Sequence, residues 1–168
     1  MTTQLTIIIV AILLLGTIIF VTKLFVEKDV KSRAIDNGKT VKGIVLPLRL
    51  QAYERMALFL ERIEPNQLIM RIHNPNLTVA QEQSLLLTAV RSEFEHNISQ
   101  QIYISNDVWN RICNAKEDIL MMISEVAEQV GANENSTPYA EALLTVSVER
   151  PVINDALNAL KADVQRLF

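Results

Sequence analysis

The chain has 168 residues, enough for one ordinary domain with an appendage, and it carries 16 Lys/Arg against 19 Asp/Glu. Hydrophobic residues at 49% exclude a disordered tail, and the 21% charged residues exclude a polytopic membrane protein. One cysteine, four scattered glycines and a net charge of −3 exclude a disulfide scaffold, a cysteine-rich zinc module and nucleic acid as the main partner.

Charge is distributed unevenly. The first 22 residues hold no ionisable side chain, and Leu5 to Thr22 read LTIIIVAILLLGTIIFVT. Eighteen residues at a helical rise span about 27 Å, close to a bilayer's hydrocarbon thickness. No Lys or Arg precedes the run and no small-residue cleavage site follows Phe20, so a retained transmembrane helix is expected over 1–26 rather than a cleaved signal.

Between Lys23 and Lys42 stand six cations, Lys23, Lys28, Lys31, Arg33, Lys39 and Lys42, against Glu27, Asp29 and Asp36. This positive flank predicts the N-terminus outside and the C-terminal part in the cytosol. Lys23, Lys28, Lys31 and Arg33 are the expected membrane-facing residues of a basic linker over 27–43. In a reducing compartment the lone Cys113 stays free, and the sequons at Asn76, Asn97 and Asn135 are chance matches.

Residues 44–168 are expected to form an all-α bundle of about five helices. Pro47 is placed at the first turn of a helix running to Ile63. Leu46, Leu50, Tyr53, Ala57 and Leu60 follow a 4-3 spacing beside a second stripe of Ala52, Met56, Phe59 and Ile63. Pro65 either ends that helix or restarts a short one through Leu68, Ile69 and Met70, which His73-Asn74-Pro75-Asn76 breaks.

Thr78 with Gln81 spells a capping box for a long helix with Val79, Leu86, Leu87, Val90, Phe94 and Ile98 on one arc. Ser105, Asn106 and Asp107 offer the next cap, ahead of Val108, Ile112, Ala115, Ile119, Met122, Val126 and Val130. Thr137-Pro138 is taken as a further cap. Leu144 to Val148 are β-branched, but a lone strand has no partner, so the stretch reads as helix. Pro151 opens the last helix, with Ile153, Leu157, Leu160, Val164 and Leu167 inward.

No phosphate loop, nucleophile elbow, H-E-x-x-H or C-x-x-C occurs, so no catalytic residue and no cofactor is expected. Glu93 and His96 have the E-x-x-H spacing of di-iron bundles, with Glu54 or Glu61 able to face them. The second such pair is missing, which favours an ordinary helix-surface pair over a metal site.

The segments LPLRLQAYER at 46–55, LFLERI at 58–63, RSEFEHN at 91–97, QQIY at 100–103 and the ending LKADVQRLF resemble small single-span membrane proteins of Bacteroidota, a family of unknown function. The resemblance covers roughly residues 45–130 and the C-terminus. It implies a bacterial inner membrane and carries over no functional residue. The expected function is a membrane-tethered, non-enzymatic interaction module that contacts the bilayer and either a protein partner or a second copy. A metal- or ligand-binding bundle and an anionic-lipid surface protein are the alternatives.

Overall fold

The computed structural model describes residues 15–17, 20, 22–23 and 43–167. Two compact units divide the chain, Met1–Val45 and Leu46–Phe168. In the first, the described residues Leu15, Gly16, Thr17, Phe20, Thr22 and Lys23 are helical and exposed. Most of the expected span, together with Lys28, Lys31 and Arg33, lies outside the described residues. Among those described, no helix is long and apolar enough to cross a membrane.

The second unit is all-helical. Residues 43–63 are helical, and the part inside this unit, 46–63, is α1. It is followed by α2 (Pro65–Ile72), α3 (Val79–Asn97), a 3-10 helix (Ile98–Tyr103), α4 (Asn106–Val130), α5 (Ser136–Glu149) and α6 (Ile153–Gln165). The described residues thus hold more helices than the five expected, because the short α2 and the 3-10 turn stand as separate elements.

The 4-3 stripes become the core. Met56, Phe59, Leu60 and Ile63 of α1 pack with Leu86 and Val90 of α3, Ile112, Ile119 and Ile123 of α4, and Leu143 of α5, all buried. Tilted rings run from Phe59 to Phe94 at 5.7 Å and on to Trp109 at 5.6 Å, joining α1, α3 and α4. Leu58 and Met121 face outward.

Three local expectations change. The helix is already formed at residue 43, so Pro47 sits within it rather than at its first position. There its ring removes the one helical bond that residue 47 would give to residue 43. At α5 the cap is Asn135, whose side-chain oxygen accepts from the Thr137 N–H. Pro138 then falls in the first turn, where no intrahelical donor is needed. At α4, Ser105 occupies the cap position without capping; its hydroxyl is engaged elsewhere. The β-branched run Leu144–Val148 is helical, because α5 buries Tyr139, Ala140 and Leu143 on the bundle.

Candidate functional site

Helix α6 has a concave surface on each side. Toward α1 lies an apolar groove of about 350 Å³, lined chiefly by Leu50, Tyr53, Ala57, Leu160 and Val164 and edged by Glu54 and Lys161. Toward the start of α4 lies a polar cleft of about 430 Å³, whose walls include Ser105, Asp107, Arg111, Asp155, Asn158 and Arg166.

A hydrogen-bonded cluster forms the wall between them. Tyr53 on α1 donates its hydroxyl to Oδ2 of Asp163 on α6 at 2.7 Å, and the Ser105 hydroxyl donates to the same oxygen at 2.8 Å. Arg49 donates from Nη2 to the Tyr53 oxygen at 3.2 Å and from Nε to the Tyr103 carbonyl at 3.2 Å. Burial and the Asp163 bond push the Tyr53 phenol upward against the pull of Arg49. Burial raises Asp163, but the Tyr53 and Ser105 bonds outweigh it and hold the carboxyl below its ordinary value. The cluster keeps α1, α6 and the α4 start in register, and so sets the shape of both concavities.

In the polar cleft Arg111 bridges Asp155 at 2.8 Å and Asp107 at 3.1 Å, and these bonds, that to Asp155 first, raise its pKa. Both carboxylates are already held by a guanidinium.

A second polar cluster closes the opposite end of the bundle. Glu82 is fully buried, and its carboxylate meets His73 Nδ1 at 3.0 Å and the Asn74 N–H at 3.4 Å. Around it two loops pair. Val79 and Ala80 donate to the Glu134 and Ala132 carbonyls, Ser136 donates to Leu77, and Thr78 bridges Asn135 in antiparallel fashion. The buried Ser136 hydroxyl donates to the Asn74 carbonyl, and the Asn135 amide to that of Pro75. Nearby, burial and then the Glu82 charge raise the pKa of Tyr139, whose hydroxyl donates to the Ile123 carbonyl. Sequence reasoning missed Glu82. Its signal was the 3-4-4 series Val79, Glu82, Leu86, Val90, which puts a carboxylate on the apolar arc.

Glu93 and His96, the pair weighed as metal ligands, each have other contacts. Glu93 accepts Arg62 at 2.8 Å and lies 3.7 Å from Arg71. His96 is exposed, with Nδ1 2.6 Å from the Ser92 carbonyl, and Glu54 and Glu61 face outward. Among the described residues no group of three or more His, Cys, Asp or Glu could hold a metal ion. Cys113 is half-buried, and burial, eased by Lys116, raises its thiol.

The fold and its paired concavities define a small helical domain behind an apolar N-terminal segment. Over residues 1–167 the chain matches a family described as Family of unknown function (DUF7935), and it belongs to that family. No curated protein and no solved structure matches the chain. The match runs through residues 131–150, which the resemblance in sequence had left out.

Proposed function

We propose that the protein is a membrane-anchored helical interaction module of the bacterial inner membrane, its N-terminus outside and residues 46–168 in the cytosol. It recognises its partner through the groove between α1 and α6. The uncharged run from Leu5 to Thr22 and the six cations after it support the anchor and its orientation. The groove itself carries the binding reading: an open apolar channel with charges only at its edges suits an aliphatic or aromatic side chain from another protein or a second copy.

The test is mild crosslinking of the full-length chain in its native membrane, then purification and identification of what comes with it. A stoichiometric partner, or a crosslinked homodimer, is expected from the wild type and lost from Ala57→Arg, which fills the groove. Recovery unaffected by Ala57→Arg removes the groove from the interface. Extraction of the protein by alkaline carbonate removes the anchor.

A further inference from the structure

We propose that the end of the bundle where α1 begins and α3 hands over to α4 lies against the anionic leaflet, with Leu48, Ile98 and Ile102 in its interfacial layer. This rests on the anchored reading above and deepens it by naming the face that meets the lipid.

Three large apolar side chains are exposed at this end: Leu48 at 42%, Ile98 at 45% and Ile102 at 74%. The start of α1 and the end of the 3-10 helix lie side by side, because Arg49 donates to the carbonyl of Tyr103 at 3.2 Å. The 3-10 helix buries none of its residues, although it holds two isoleucines and a tyrosine. Tyr103 packs in part against the core, and the two exposed isoleucines beside amide side chains suit the boundary of headgroups and acyl chains.

Chain connectivity chooses the bilayer as occupant. The basic segment 23–42 immediately precedes the helix that carries Leu48, so this end of α1 is the one tethered to the uncharged run. Charge is mixed at the far end of the bundle, where exposed Glu61, Glu64, Glu128 and Glu134 stand with exposed Arg62, Arg71 and Arg150. The tip itself exposes apolar and amide side chains from Ile98 to Ile102, flanked by Glu95 and His96 on α3, Asp107 on α4 and Arg166 on α6.

Val148 provides the matched control. It is as exposed as Ile102 and also aliphatic, but its chain neighbours Ser147 and Arg150 share a cleft with Glu64 and Pro65. From Leu48 to Glu64 is about 24 Å along α1.

Full-length protein with Cys113→Ser and either Ile102→Cys or Val148→Cys is labelled with an environment-sensitive fluorophore. It is then reconstituted in phosphatidylcholine–phosphatidylglycerol vesicles carrying acyl-chain quenchers. The label at 102 is expected to shift to the blue and to be quenched, and the label at 148 to report water. If both labels are equally wet in protein that floats with the vesicles, the proposal fails and the anchored reading stands. Protein that does not float with the vesicles overturns both.

Discussion

His73 and Glu82 are nine residues apart, and the Glu82 carboxylate that meets the imidazole is fully buried. Removing the hydrogen-bond partner of a buried polar group leaves it unsatisfied, which typically costs about 2 kcal/mol. His73→Ala is therefore expected to destabilise the domain by about that amount in urea denaturation. In a Glu82→Gln background the same change is expected to cost much less, since the carboxylate that His73 satisfies is gone. Equal costs in the two backgrounds would mean the pair is not coupled.

Asp163 behaves differently because it accepts two hydroxyls at a partly open site. Its folded pKa lies below its unfolded value. Its stabilisation is thus present above about pH 4 and is lost as pH falls through the folded value. Asp163→Asn is expected to cost about 1 kcal/mol near neutrality and to flatten the acid side of the stability–pH curve. A curve unchanged in shape would count against the cluster. Neither Glu82 nor the Tyr53–Asp163 bond was singled out from sequence, since each depends on what another helix brings to it. Glu93 and His96 drew attention by spacing alone, and helix packing gave Glu93 to two arginines.

Helix ends show where local signals suffice and where they do not. Thr78 accepts from the Gln81 N–H and the Gln81 side chain accepts from Thr78, the reciprocal cap its sequence predicts. Thr78→Ala is expected to lower stability by about 1 kcal/mol. Gly131 ends α4 with φ at +105°, where its missing side chain matters; an added Cβ would meet Glu134 Cγ only at 3.6 Å. Gly131→Ala should therefore destabilise by about 1 kcal/mol through backbone conformation rather than collision. Thermal unfolding checks both, and a Gly131→Ala protein as stable as wild type would show that the backbone relaxes out of the positive-φ region. At α5 the cap moved from Thr137 to Asn135 because Asn135 serves twice, capping its own helix and bonding the Pro75 loop.

Across the molecule, the Leu46–Phe168 unit carries the continuous core and all the long-range polar bonds described above. Produced alone, it is expected to unfold cooperatively with an enthalpy of about 85 kcal/mol at its midpoint, by the usual per-residue value. A broad, non-cooperative transition would show that the N-terminal unit is needed for the fold.

The chain's periodicities determined the helices, their inward faces and most of their ends, because repeats of 3.6 residues, caps and prolines act within a few residues. They also determined the uncharged run and its basic flank, which are matters of composition. Tertiary structure alone decided that Ser105 serves Asp163 rather than α4, and that α6 is flanked by one polar and one apolar concavity. Each of these depends on side chains brought together from as far as 110 residues apart, and such distances leave no local pattern in a sequence.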